Sequence, residues 1–212
     1  MNMDMSLNTC YSDFIVPILY NSRLLGTGII HKSLLITAAH VVEELQEDKR
    51  EFSLVYQTQS FIVQWERELF FEYDKEKHGY YRDLAIFKTD ILLEGLNIEL
   101  ENRYNERTAS IYGYYGNDHT DMAININTGR IRMKPVLENN IPLHKNTFLL
   151  MDVDKIDECN SGGPLLNHKK AVLGILSTGN KYYRYARFVS SSHILEVLSN
   201  NNRCKESLLN YE

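Results

Sequence analysis

An all-β fold in two halves is the fold class that the sequence predicts. Three observations lead to it: short runs of β-branched and aromatic residues recur along the chain, turn residues separate these runs, and helical periodicity is confined to the C-terminus. Hydrophobic residues make up 43% and charged residues 24% of the 212 residues, which is the balance of a folded globular protein. This length allows one domain or two small ones.

The first half of the chain contains six predicted strands, each an apolar run bounded by polar or turn residues. They are Asp13–Tyr20, Leu24–His31, Leu34–Thr37, Glu51–Gln57, Ser60–Trp65 and Asp83–Thr89. After the third strand, Ala38–Gln46 is compatible with one short turn of helix. The polar and weakly patterned segment Asp90–Arg107 is predicted to link the two halves.

The second half contains six further predicted strands, and one helix follows them. The strands are Ala109–Tyr114, Asp121–Met133, Asn146–Asp152, Pro164–Asn167, Ala171–Ser177 and Tyr182–Val189. Their spacing is typical of barrels or sandwiches rather than of βαβ units. In Ser191–Asn200, apolar residues recur at helical spacing after serines that can cap a helix, which predicts a short C-terminal helix.

Charge and cysteine usage restrict the classes of function. The formal net charge is −5 and the charges are scattered, so nothing favours nucleic acid or an anionic membrane as a partner. Cys10, Cys159 and Cys204 are odd in number and widely separated, which is typical of a reducing compartment. No Cys or His residues have the spacing of metal ligands, and we expect no metal and no cofactor.

The N-terminal region does not resemble a targeting segment. No Lys or Arg precedes Arg23, and the first apolar run, Phe14–Tyr20, is short and contains Pro17. A signal peptide needs a basic start and a longer apolar stretch, and a membrane-spanning helix needs about 20 apolar residues. We therefore expect a cytoplasmic protein.

Three short motifs contain the residues for nucleophilic catalysis. His40 ends the sequence TAAH after an apolar strand, Asp83 begins the strand DLAIF, and Ser161 lies in NSGGPL. Each motif alone is compatible with a purely structural role, since Asp, Ser and Gly are ordinary turn residues. A nucleophilic serine, however, needs a base to take its proton and a carboxylate to orient that base. The three motifs together supply all three groups.

The order and the flanks of these motifs resemble the trypsin-like serine proteases of the chymotrypsin fold. The sequence GTG before the histidine, GILSTG after the serine and the terminal helix extend the resemblance from Gly26 to Leu198. The motifs are most similar to those of the bacterial HtrA-type and glutamyl endopeptidase branches, here without a PDZ domain. The resemblance implies two six-stranded antiparallel β-barrels, over residues 10–89 and 108–190, joined by a linker at 90–107 and followed by a helix at 191–201. It places the active site in the cleft between the barrels.

The resemblance also implies a role for each site residue. Ser161 would attack the scissile carbonyl, His40 would act as general base and then general acid, and Asp83 would orient His40. The residues of the oxyanion hole would be Cys159, Asn160 and Ser161, with the backbone N–H groups of the first and last as donors. A third wall of the specificity pocket would lie near Tyr185–Phe188. The other residues that would form this pocket are Lys155, Ile156, Glu158, Leu176, Ser177, Thr178 and Gly179.

Two residues depart from the pattern of the family. Asn160 stands where digestive trypsins have an Asp that pairs with a newly cut N-terminus, so we expect no activation by N-terminal cleavage. Cys159 replaces a glycine that the family nearly always has at the oxyanion position. A Cβ at this position could leave the N–H turned away at rest, which would make the enzyme latent. The alternative is that the side chain is tolerated without consequence.

The substrate preference stays open at this point. A buried Lys155 would favour an acidic substrate side chain, whereas Asp154 or Asp157 in the pocket would favour Lys or Arg. Ile156 in the pocket would favour an apolar side chain. We favour small or apolar residues, because Ile156 and Leu176 would then face each other across the pocket.

The main functional hypothesis is a serine endopeptidase that cuts one or a few protein or peptide substrates. A dedicated substrate or activating partner encoded nearby would explain how a protease is restrained in the cytosol. The alternatives are a non-catalytic binding module on the same fold and an esterase or other acyl-transfer enzyme with the same triad.

Overall fold

The computed structural model describes residues 13–74, 82–93, 98, 108–118, 120–132, 137–138, 141–142, 147–153, 156–180 and 184–209. Within these ranges the chain is mostly β, with two antiparallel groups of strands and a few short helices. The predicted all-β fold in two halves is therefore confirmed.

The first group of strands is a seven-stranded antiparallel sheet. Its strands are β1 (Ile15–Tyr20), β2 (Arg23–His31), β3 (Leu34–Thr37), β4 (Phe52–Tyr56), β5 (Gln59–Val63), β6 (Glu68–Tyr73) and β7 (Asp83–Lys88). Their order across the sheet is β5-β4-β1-β2-β3-β7-β6. All six predicted strands of this half are present, with ends that differ by a few residues.

The strand β6 makes this sheet larger than the predicted six strands. Glu68 and Glu72 enclose an apolar run, Leu69–Phe71, that is only three residues long, and so short a run is a weak strand signal. The strand forms because it pairs along β7, with Phe71 opposite Ala85. Pairing with the next strand along the chain thus decides the structure of a segment whose own pattern is weak.

A 3₁₀ turn (Ala39–Val41) and a short helix, α1 (Glu43–Gln46), follow β3, where the sequence predicts one turn of helix. Beneath them lies an aromatic core in which the ring of Phe87 makes edge contacts with Phe52 and Trp65 at centroid distances of 5.2 Å. This buried packing supports the turn that carries His40.

The second group of strands is a closed antiparallel barrel, and a two-stranded hairpin accompanies it. The strands are β8 (Thr108–Tyr115), β9 (Ala123–Arg132), β10 (Leu137–Glu138), β11 (Ile141–Pro142), β12 (Thr147–Met151), β13 (Pro164–Leu166), β14 (Val172–Asn180) and β15 (Tyr185–Ser190). The barrel follows the order β12-β15-β14-β13-β8-β9, and β10 pairs with β11. Six barrel strands agree with the prediction for this half, and the small hairpin is additional.

The two halves share a hydrophobic cluster. Apolar side chains of the first sheet, including Ile29 and Ile86, pack with Val172 and Val189 of the barrel and with Ile194 of the terminal helix. Burial of this shared surface stabilises one arrangement of the two halves. The cleft that contains the site residues lies between them.

The C-terminal helix is confirmed as α2 (Ser191–Asn200). The Ser190 hydroxyl accepts a hydrogen bond from the His193 N–H at 3.3 Å, which caps the helix as the serine run predicts. A further helix, α3 (Asn202–Leu209), is absent from the prediction because its sequence is polar. It is held in place by the buried Cys204.

Most of the predicted linker Asp90–Arg107 lies outside the described residues, so its extent stays a prediction. None of the helices that the structure describes is both long and apolar enough to cross a membrane.

Candidate active site

His40 and Asp83 are brought together by two neighbouring strands. β3 leads into the turn that carries His40, Asp83 is the first residue of β7, and the two strands pair with Thr37 opposite Ala85. The distance from His40 Nδ1 to Asp83 Oδ2 is 2.8 Å, and the backbone N–H of His40 donates to Asp83 Oδ1 at 3.0 Å. Both carboxylate oxygens therefore orient one imidazole ring.

Ser177 attaches this pair to the second half of the molecule. Its hydroxyl donates to Asp83 Oδ2 at 2.5 Å, and the Asp83 side chain has no solvent exposure. The sequence predicts Ser177 in the specificity pocket; in the structure Ser177 lines the cleft, and its hydroxyl lies on the carboxylate behind His40. The Ser177 hydroxyl and the two His40 groups together hold this buried carboxylate in one orientation.

The environment of His40 alters its affinity for a proton. Burial by itself lowers the pKa of His40, but the charge of Asp83 and its hydrogen bond to the ring outweigh burial and raise the pKa above the ordinary value of 6.5. Glu43 adds to this rise, and the charge of the buried Arg187 opposes it. His40 is therefore a base whose protonated form is stabilised, as proton transfer from a serine requires.

Ser161 is presented by a tight turn between the two halves. The Ser161 carbonyl accepts from the Thr27 N–H at 2.8 Å, and the Gly162 N–H donates to the Leu176 carbonyl at 2.7 Å. Gly162 has a φ of +81°, and a Cβ there would lie 2.1 Å from the Thr27 carbonyl oxygen. Only glycine fits this position without movement of the backbone.

His40 and Ser161 line the same cleft, which has a volume of about 860 Å³. No hydrogen bond joins their side chains within the described part of the chain, and such bonds often form only when substrate is bound. The cleft also brings together most of the other predicted site residues, namely Ile156, Glu158, Cys159, Ser177, Thr178 and Gly179.

The two N–H groups expected in the oxyanion hole donate to acceptors within their own turn. Residues Glu158–Asn160 form a 3₁₀ turn in which the Cys159 N–H donates to Asp157 Oδ1 at 3.2 Å. The Ser161 N–H donates to the Glu158 carbonyl, also at 3.2 Å. Neither donor is directed at a position where a substrate oxygen could accept from it.

Asn160 is fully buried and is used within the fold. Its Oδ1 accepts from the Asp157 N–H at 2.9 Å, and its Nδ2 donates to the Tyr114 carbonyl at 2.8 Å. Both ends of the amide thus fix the turn before Ser161.

The Cys159 thiol is not a reactive group in this structure. Burial, followed by the charges of Asp157 and Glu158, raises its pKa to about 11. The Sγ lies 3.6 Å from the Leu24 carbonyl, to which it donates. A thiol with this pKa is protonated at neutral pH and is a poor nucleophile.

The cleft contains the side chain of Ile156, a residue of the predicted specificity pocket. A Cβ built on Gly179 would lie 2.7 Å from Ile156 Cδ1 and 2.8 Å from its Cγ2, so the isoleucine packs directly on this glycine. Leu176 is fully buried in the cluster against which Ile156 packs. Thr178 accepts a hydrogen bond from Arg187 Nη2 at 2.9 Å. Lys155 lies outside the described residues, as does Asp154.

Three residues have roles at the site that the sequence does not predict. Thr27 holds the turn, because its hydroxyl donates to the Cys159 carbonyl at 2.8 Å and accepts from the Tyr114 N–H at 2.9 Å. Asp157 caps the turn, and Arg187 lies buried behind Thr178. The motif GTG and the spacing D-x-x-N were the available signals for the first two. In the part of the chain that the structure describes, no three His, Cys, Asp or Glu side chains are grouped as a metal site requires.

Comparisons with known proteins identify the family and the fold. The family model of the trypsin-like peptidase domain matches residues 26–175. No curated protein matches the chain in a direct comparison. The crystal structure of the Rv3671c protease from M. tuberculosis in its active form has a TM-score of 0.66 at 18% identity, over 91% of this chain and 82% of that one.

Two further solved structures are similar. The HtrA-type protease AlgW with a decapeptide has a TM-score of 0.60 at 18% identity, over 83% of this chain and 51% of that one. A human pathogenic astrovirus serine protease has a TM-score of 0.54 at 17% identity, over 85% and 90% of the two chains. At these identities the similarity shows the fold alone. The family model, which covers most of the chain, shows that this protein belongs to the trypsin-like peptidase family.

Proposed function

We propose that this protein is a serine endopeptidase that cuts a restricted set of protein substrates through His40, Asp83 and Ser161. The observation that carries the proposal is the double hydrogen bond between Asp83 and His40, in a cleft that His40 shares with Ser161. Membership of the trypsin-like peptidase family supports the same chemistry.

The reaction uses the proton affinity of His40. Ser161 Oγ attacks the scissile carbonyl carbon while His40 Nε2 takes the hydroxyl proton, and the charged imidazole is stabilised by Asp83 at Nδ1. His40 then gives the proton to the leaving amine, and the C–N bond breaks to leave an acyl group on Ser161. Water, activated by the same base, hydrolyses the ester and restores the hydroxyl.

We also propose that the free enzyme has low activity. The tetrahedral intermediate carries a negative oxygen, and loss of one donor to this oxygen costs about 100- to 1,000-fold in rate. The N–H groups of Cys159 and Ser161 donate within their turn at rest, which supports a requirement for rearrangement by substrate or partner.

The preferred residue before the scissile bond is proposed to be small. Ile156 occupies the space beside Gly179 into which a substrate side chain would project, and Leu176 belongs to the same apolar cluster. A small apolar side chain fits this space with the least rearrangement.

Shortening Ile156 is expected to widen this preference. In Ile156→Ala, kcat/KM for a peptide with Phe before the scissile bond should rise roughly tenfold relative to the matched Ala peptide, since the lost carbons free apolar space. The measurement is a comparison of peptides that differ only at this residue, in the wild type and the variant.

The same set of peptides tests the alternatives. A strong preference for Asp or Glu would identify Lys155 as the determinant, and a preference for Lys or Arg would indicate Asp154 or Asp157. Either result, or an unchanged Phe-to-Ala ratio in the variant, would contradict the role of Ile156.

Labelling by a fluorophosphonate tests the proposed triad. We expect slow labelling of the wild type and no labelling of Ser161→Ala or His40→Ala, because the reagent bonds only to a serine whose proton has an acceptor. Mass spectrometry should locate the adduct on Ser161. Hydrolysis of a protein substrate, compared with that of a small ester, then separates an endopeptidase from an esterase.

A non-catalytic binding module is the second candidate function. The internally bonded N–H groups of Cys159 and Ser161 favour it, because an oxyanion hole that never opens would leave the triad without effect. A wild type that stays unlabelled, with or without candidate partners, would support this candidate.

A cytoplasmic location and a dedicated substrate or partner encoded nearby stay predictions. The three sparse cysteines support a reducing compartment. The filled space beside Gly179 supports a narrow set of substrates.

A further inference from the structure

We propose that the Asp157 side chain is the latch that holds the oxyanion hole closed. This inference rests on the proposed function, since it names the group that keeps the same site at low activity. It differs from the explanation in which the Cβ of Cys159 turns the N–H away, because it assigns the resting state to a hydrogen-bond acceptor two residues earlier.

The turn before Ser161 is a complete capping box. Asp157 Oδ1 accepts from the Cys159 N–H at 3.2 Å, while the Asp157 N–H donates to Asn160 Oδ1 at 2.9 Å. Asn160 is anchored in turn on the Tyr114 carbonyl at 2.8 Å. Reciprocal caps of this kind stabilise the first turn of a helix.

One peptide group connects both donors of the oxyanion hole. The carbonyl of Glu158 and the N–H of Cys159 belong to the same peptide, and each makes one hydrogen bond in the closed turn. Rotating this peptide to the opposite side breaks the bond from Cys159 to Asp157 and the bond from Ser161 to Glu158 together. Both N–H groups are then free to donate to a substrate oxygen.

The neighbouring peptide stays in place during such a rotation. The Cys159 carbonyl accepts from the Thr27 hydroxyl at 2.8 Å, and that hydroxyl also accepts from the Tyr114 N–H at 2.9 Å. This contact confines the movement to the Glu158–Cys159 peptide. The carboxylate of Asp157 is the side-chain acceptor that the movement must release.

The side chain of Cys159 does not by itself require the closed turn. Its φ is not positive, and it lies within an ordinary 3₁₀ turn, which any residue with a Cβ adopts without strain. The closed turn is therefore stabilised by its hydrogen bonds, one of which is accepted by Asp157, and we expect removal of this acceptor to open the site more than removal of the Cys159 Cβ does.

The main experiment compares Asp157→Ala with Asp157→Asn. Replacement of a capping Asp by Ala shifts a helix equilibrium by roughly 2- to 30-fold, so Asp157→Ala should react with a fluorophosphonate faster than wild type by that factor. Asn caps as well as Asp does, so Asp157→Asn should react at nearly the wild-type rate. Cys159→Gly is the third variant, and its gain should be smaller than that of Asp157→Ala.

A spectroscopic readout separates the latch from a general effect on the fold. The chain contains three cysteines, so selective ¹⁵N-cysteine labelling yields three amide signals, and the signal lost in Cys159→Ser identifies Cys159. Its amide should be protected from exchange in the wild type and in Asp157→Asn, and exposed in Asp157→Ala. Binding of a peptidyl boronic acid to the wild type should shift this signal.

Each outcome decides between distinct conclusions. A folded Asp157→Ala with an unchanged or lower rate overturns the latch, and equal gains in the Ala and Asn variants assign the effect to charge. If Asp157→Ala does not fold, an unprotected Cys159 amide in the free wild type overturns the latch, and a protected amide that shifts with the boronic acid supports it. Absence of labelling in every variant, Cys159→Gly included, instead contradicts the proposed protease function.

Discussion

Replacing Asp83 by Asn is expected to lower kcat by roughly 10⁴-fold while KM changes little. The amide has the shape of the carboxylate, and its oxygen can still accept from the backbone N–H of His40, as Oδ1 does now. Its N–H₂ group then stands in place of Oδ2, where the His40 ring and the Ser177 hydroxyl now meet an acceptor. His40 is then held in the wrong tautomer, with no lone pair directed at Ser161. Stabilisation of the charged imidazole is lost as well.

The same substitution should move the pH dependence of the reaction. The pKa of His40 lies above 6.5 because the charge and hydrogen bond of Asp83 outweigh burial. Since the base must be neutral to act, wild-type kcat/KM should rise as the pH passes this raised pKa. In Asp83→Asn the charge that raises the pKa of His40 is gone, and burial lowers this pKa. The rise in kcat/KM should therefore occur at lower pH.

Kinetic pH profiles and an NMR titration of the His40 ring measure this shift. Asp90→Asn is a suitable control, because Asp90 is an exposed partner of Arg67 at the other end of β7. The control should retain both the wild-type rate and the wild-type profile. A profile that does not move in Asp83→Asn would show that Asp83 does not set the pKa of His40.

The pairing of His40 with Asp83 could be predicted from the sequence because each residue has a local motif. The TAAH and DLAIF sequences identify His40 and Asp83, although only the register of β3 on β7 explains why they touch. The sequence predicts where the strands end, whereas the pairing of strands that are far apart in the sequence sets the distances between their side chains.

Ser177 shows what local patterns leave undecided. The sequence places it on the strand after Ser161, which is compatible with a pocket wall. The register between β14 and β15 shifts between Leu176 and Thr178, so a bulge lies at Ser177, and its hydroxyl reaches Asp83. Alternation along a strand is a poor guide at a bulge, because the extra residue turns the side chain to another face.

The Asp157 carboxylate could either bind a substrate Lys or Arg or accept a hydrogen bond from its own turn. A carboxylate near the pocket suggests selection of Lys or Arg, as the sequence alone allows. In the structure this carboxylate accepts the Cys159 N–H instead, because an exposed turn N–H close in sequence is the nearest donor. From the sequence alone, an Asp that selects the charge of the substrate cannot be distinguished from an Asp that caps a turn. The backbone structure makes this distinction.

Gly162→Ala is expected to remove activity and to lower the melting temperature by several degrees. A methyl group there would lie 2.1 Å from the Thr27 carbonyl oxygen and 2.2 Å from Thr37 Oγ1, at a φ of +81°. A disfavoured backbone conformation costs about 1–3 kcal/mol, and each kcal/mol lowers the melting temperature of a chain of this size by roughly 2–4 °C. Thermal unfolding and fluorophosphonate labelling measure the two effects.

Gly179→Ala is the matched control for this prediction. The three atoms nearest to its added methyl group all belong to the Ile156 side chain, and a side chain can move where the backbone around Gly162 cannot. The melting temperature of Gly179→Ala should therefore change by less than that of Gly162→Ala. Equal stability of the two variants would show that the turn yields at Gly162. In that case the hydrogen bond from the Thr27 N–H to the Ser161 carbonyl would not be what holds Ser161 in place. The hydrogen bond from the Gly162 N–H to the Leu176 carbonyl of β14 would then have to fix its position.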